Sequence, residues 1–166
     1  MSQPLIVLET DPAIAGLWMA IETARVQSYP LTGAAFRLTR PPQTVTEALD
    51  AVAQELDFQP LGEHWIEVPR RIALKIATHI IAYDLAYPDE IVPKAQASEL
   101  AGRVLALLGP RARYFTNGAV SGDFAIYDVH GNEVVGWRSL SEAPFDHGII
   151  ALDEQRVVVL WAEDAP

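Results

Sequence analysis

The stretch GIIALDEQRVVVLWA, Gly148 to Ala162, decides the fold. Two apolar runs, Ile149 to Leu152 and Val157 to Trp161, flank a polar break at Asp153-Glu154-Gln155. Neither run alternates apolar with polar residues, as a strand with one wet face would. The spacing predicts a hairpin closed by the tight DEQ loop and lying at the centre of a sheet, with both faces covered.

Working back toward Pro110, RYFTNG (113–118), DFAIYDV (123–129) and EVVGW (133–137) read as three further strands. His130-Gly131-Asn132 is a turn signal between the last two. Residues 111–166 are thus expected to form an antiparallel meander of about five strands. Residues 1–110 read as mainly helical, with short strands at PLIVLE (4–9) and AAFRLT (34–39). Asp11 followed by Pro12 is a helix start, and Ile14, Leu17, Trp18 and Ile21 recur at helical spacing. Thr44 and Glu47 have the spacing of a capping box before Val45, Leu49, Val52 and Leu56. PRRIALKIATHIIAYDLAY, Pro69 to Tyr87, is apolar on most faces and reads as a central buried helix. A fourth helix runs from Pro93 to the Gly109-Pro110 stop. Four helices of the first two-thirds covering one face of the sheet give an α+β layer fold within a single domain, 1–166.

Composition narrows the function classes. Half of the 166 residues are apolar and there is no cysteine, so the core forms without disulfides and thiol catalysis is excluded. The opening MSQPLIVLETD has no basic leader, and its apolar run Leu5 to Leu8 is too short for a signal peptide, so a cytoplasmic protein is expected. No apolar stretch is long enough for a membrane span. The net charge is −10, unevenly placed: residues 1–68 hold nine acids and three bases, 69–113 four acids and seven bases, and 114–166 nine acids and two bases. Acidic ends repel a phosphate backbone, so nucleic-acid binding is not expected, whereas a basic partner is attracted.

Motifs for chemistry are sparse. His79 lies mid-helix with Lys75 one turn before and Tyr83 one turn after, so three polar tips share one stripe of an apolar helix. His79 as base with Tyr83 as proton donor is one hydrolase reading. Asp84, five residues on, is too far round the helix to orient His79. Asp146 with His147 is the other hydrolase reading. His64, His130 and His147 have no second histidine at metal-binding spacing, and no cofactor motif is present. Ser121 and Ser139 stand near glycines without forming a nucleophile elbow.

Two patches remain as binding surfaces. Asn117 and Asp123 flank a polar loop after Tyr114-Phe115. At one end of the expected hairpin, Asp146 and His147 meet Trp161, Glu163 and Asp164, with Trp137 on a neighbouring strand. Aromatic residues with a charged rim suit an interface. In size, acidity and lack of a catalytic motif the chain resembles the immunity proteins that bacteria make against their own toxins. That implies an inhibitor-like module, a monomer or small homo-oligomer, that docks on a basic toxin or enzyme. The rivals are the hydrolase and an accessory subunit whose acidity is incidental.

Overall fold

The computed structural model describes residues 3–25, 31–86, 89–120 and 122–165. In chain order the elements are β1 (Ile6–Leu8), α1 (Pro12–Ala24), β2 (Leu31–Leu38), α2 (Val45–Glu55), β3 (Ile66–Val68), α3 (Arg70–Ala82), α4 (Lys94–Leu105), β4 (Arg113–Thr116), β5 (Phe145–Leu152) and β6 (Arg156–Asp164). The strands form one antiparallel sheet in the order β1-β2-β6-β5-β4-β3. The fold is α+β, with the expected four helices in the first two-thirds.

The hairpin β5–β6 occupies the centre, with Leu152 opposite Val157 and Phe145 opposite Asp164. Asp153 Oδ1 accepts the N–H groups of Gln155 and Arg156, which closes the loop. Every residue from Asp146 to Leu152 and from Val157 to Ala162 is buried. Their alternation therefore sorts two apolar layers rather than an inside from an outside. Ile149, Ala151, Val158, Leu160 and Ala162 pack under α1, α3 and α4. Ile150, Leu152, Val157, Val159 and Trp161 pack on the other side with α2, Phe58 and Trp65. Both faces carry helices, which corrects the one-face expectation. α2 is the helix on the far face, and its stripe Leu49, Val52 and Ala53 is buried there.

Local signals set the first two helix starts. Asp11 accepts the N–H of Ala13 ahead of Pro12. Thr44 accepts that of Glu47, whose carboxylate reaches back to the N–H of Gln43.

Three further expectations are corrected. The central helix α3 ends at Ala82, not Tyr87, and Tyr87 lies outside the described residues. Long-range partners take its last carbonyls: Arg25 Nη1 donates to Ile80 and Ile81, while the N–H groups of Ile91 and Val92 donate to Ala82. The segments DFAIYDV and EVVGW form only isolated bridges, Tyr127 to Glu133 and Gly118 to Trp137. Gly118, Gly131 and Gly136 adopt positive φ there, which breaks a regular ladder. The strand β3, unassigned from sequence, pairs with β4 and forms the sheet edge. The sheet thus has six described strands, three of them from the first part of the chain. Val129 donates to the carbonyl of Glu67 on β3, so the irregular segment covers that edge.

Candidate functional site

A cavity of about 670 Å³ opens between α3, α4 and the segment that follows β4. Lys75 and His79, one turn apart on α3, line it with Leu74 and Thr78 of the same helix and with Tyr83, the extended residue that follows the helix. From α4 come Lys94 and Ser98, and from the segment after β4 come Asp123 and Phe124. The His79 ring is packed against Tyr83, centroid to centroid 5.0 Å, and edge-on to Phe124 at 5.4 Å. Its Nε2 stands 3.7 Å from Asp123 Oδ2. Asp84 could not serve as that carboxylate; a residue far along the chain does.

Electrostatics follow from burial. His79 is buried, and desolvation pushes its pKa below the ordinary histidine value, opposed by Asp123 and reinforced by the charge of Lys94. It is therefore a neutral imidazole at pH 7, able to accept a proton at the cavity wall. Asp123 remains 62% exposed at its side chain. Ser98 shares the cavity, yet no hydrogen bond joins it to His79 among the described residues. An activated serine is therefore not assembled in this geometry.

Asp146 and His147 do not line the cavity; they hold the start of the loop that leads to it. As neighbours in a strand they point to opposite faces and do not pair with each other. On the α2 face Asp146 is fully buried and accepts five donors: the N–H groups of Leu140 and Ser141, the Ser141 hydroxyl, Asn117 Nδ2 and Trp161 Nε1. On the α3 face His147 Nε2 donates to the carbonyl of Gly118 at 2.8 Å. That bond fixes the tautomer and leaves Nδ1 buried without a hydrogen-bond partner among the described residues. Burial drives the His147 pKa down to about 4, partly offset by the Gly118 carbonyl. Asn117 and Gly118 are consecutive, so the sheet grips the start of the loop from both sides. A few residues further on, that loop delivers Asp123 and Phe124 to His79.

The residues expected at a partner surface thus separate. Asn117, Asp146, His147, Trp161 and Asp164 are interior. Asp164 accepts the N–H of Ala86, and its charge together with that of Asp84 is felt at buried Arg25. Trp137 is half-buried against Phe145, and Glu163 is half-buried across from Asp146. Asp123 alone of the set lines the cavity. Ser121 lies outside the described residues. Sequence reasoning missed Lys94, Ser98 and Phe124; Lys94 and Ser98 stand one turn apart at the start of α4, a spacing visible in advance but without a charge pattern to single it out.

Among the described residues no three His, Asp or Glu side chains are grouped to hold a metal ion. Among them, too, no helix is long and apolar enough to cross a membrane. The class these features define is an α+β protein with helices on both faces of one antiparallel sheet and a cavity at the α3–α4 edge. No family model, no curated protein and no solved structure matches the chain.

Proposed function

We propose that the protein binds a small organic molecule in the α3–α4 cavity and acts through it. One observation carries this reading: a buried, neutral histidine with a carboxylate 3.7 Å from its Nε2 forms part of the wall of a cavity of about 670 Å³. Cavities of about 300–1,000 Å³, mostly apolar with a few convergent polar groups, are the usual form of small-molecule sites. A perturbed titratable group inside one adds weight, because groups shifted by burial beside a charged partner cluster at functional sites. The chemistry on offer is proton acceptance by His79 beside the Tyr83 hydroxyl, which keeps the His79/Tyr83 hydrolase reading open as a use of the same cavity.

The test fills the cavity. Ser98 is exposed on α4 and lines the mouth, so Ser98→Trp occludes it without touching the core. Ligand-detected NMR with a fragment library is expected to find binders that the variant loses at unchanged melting temperature. Fragments that bind both proteins alike would contradict the assignment.

A second reading is favoured by a different observation. Residues 126–134 form an irregular finger closed by an Asp128 turn, and beside it Val135 is 88% exposed, with Tyr127 and Val129 also outside. Apolar tips next to Glu133 suit docking on a basic protein, the inhibitor-like or immunity-like role, through this finger rather than through the buried hairpin end. Under this reading, Tyr127→Ser with Val135→Ser abolishes the complex and leaves the fold intact.

A further inference from the structure

The charge of the cavity walls points to the class of ligand, given that the cavity is a ligand site as proposed above. In a chain of net charge −10, residues 69–113 alone hold an excess of bases, seven against four acids, and this is the segment that forms α3 and α4. Two of those bases, Lys75 and Lys94, line the cavity. Among the described residues neither makes an ion pair. Asp123 is the acid on the same wall, and it faces His79.

The position of Lys94 sharpens the point. It opens α4, where the aligned peptide dipoles already concentrate positive charge, so a lysine there works against helix stability. Pro93 at the cap supplies no side-chain acceptor, and Glu90 Oε1 takes only the first N–H, that of Lys94 itself. Cation and helix start therefore sit together at the cavity mouth with one carboxylate on the first N–H. Across the cavity, Leu74, Tyr83 and Phe124 offer an apolar and aromatic surface.

We propose that the cavity takes a small organic anion, its carboxylate or phosphate held between Lys75 and Lys94 and its apolar body against Leu74, Tyr83 and Phe124. A bound anion would relieve the unfavourable placement of Lys94 and meet the second, unpaired lysine. The Thr78 hydroxyl from α3 and the Ser98 hydroxyl from α4 also line the cavity and add donors.

Matched probes test this. Calorimetry and the ring-proton shifts of His79 are followed with hydrocinnamate, with phenyl phosphate and with hydrocinnamamide, the neutral isostere of the first. At least one anion is expected to bind about tenfold more tightly than the amide at low salt, the advantage shrinking as salt is added. Lys75→Met with Lys94→Met should erase that advantage, while Arg71→Met, an exposed base on the same helix that does not line the cavity, should leave it intact. Equal binding of amide and anions would overturn the anionic class and leave the cavity reading standing. No binding and no His79 shift with any of the three would overturn both. A preference for carboxylate over phosphate, or the reverse, identifies the headgroup.

Discussion

At the scale of single residues, the most informative side chains are Asp146 and His147, which hold the loop after β4. All five side-chain contacts of Asp146 are donors pointing at a carboxylate. Asp146→Ala leaves several buried donors unmet and should cost about 3 kcal/mol or more in chemical denaturation. Asp146→Asn should also destabilise, by about 2 kcal/mol, because its amide NH₂ would face other donors. An Asn variant as stable as the parent would show that the charge is not needed. His147 gives a pH dependence of definite sign. Its folded pKa lies near 4, below the ordinary value of 6.5, so between these values the unfolded chain binds the proton that the folded chain refuses. Its contribution is complete above about pH 6.5 and is lost as the pH falls toward 4, a loss of about 3 kcal/mol. His79, also displaced downward, acts in the same direction. Unfolding free energies measured from pH 7.5 to 4 should fall for the parent, and fall less for His147→Gln. Identical slopes would contradict the assignment.

At the scale of elements, close approaches separate what is rigid from what yields. A Cβ at Gly148 on β5 would overlap the Leu160 carbonyl and the buried Trp161 ring, both in the sheet itself. A Cβ at Gly33 on β2 would meet only the Trp18 ring of α1, which is half-buried and free to turn outward. Gly148→Ala should therefore cost about 3 kcal/mol and Gly33→Ala about 1, read from urea midpoints. Reversal of that order would mean that α1 is held more firmly than the central hairpin. Much of the element pattern was legible in advance: the unalternating runs of β5 and β6, the Asp11-Pro12 and Thr44 starts, and the Lys75, His79, Tyr83 stripe. What was not legible came from distant partners. The last carbonyls of α3 are taken by Arg25, Ile91 and Val92, none of them within the helix. The alternation in DFAIYDV is real, but Ile126 fills the core while Asp128 closes a turn on His130 and Asn132, so the segment bends instead of pairing. The carboxylate beside His79 and the buried state of Asp146 and His147 could be known only once the loop between β4 and β5 had been traced.

For the molecule as a whole, the uneven charge along the sequence bears on the cavity, because two of the bases of its one basic segment line it. The weakly basic segment 69–113 forms the α3–α4 pair, and the cavity opens along that pair. The same acidity that suggested a basic protein partner also makes a cationic pocket conspicuous. The finger at Tyr127 to Val135 and the cavity at His79 are separate surfaces, and they call for separate variants. Val135→Asp, at a site 88% exposed, should change stability by less than about 0.5 kcal/mol and leave small-molecule binding untouched. The most direct test of the cavity as the working site is backbone-amide NMR of the protein against a small-molecule extract of its source cells. Shifts gathered at Thr78, His79, Tyr83, Ser98 and Phe124, and lost in Ser98→Trp, are the expected result. A spectrum silent at those residues, or shifts confined to the finger, would contradict the claim that this protein works through the cavity.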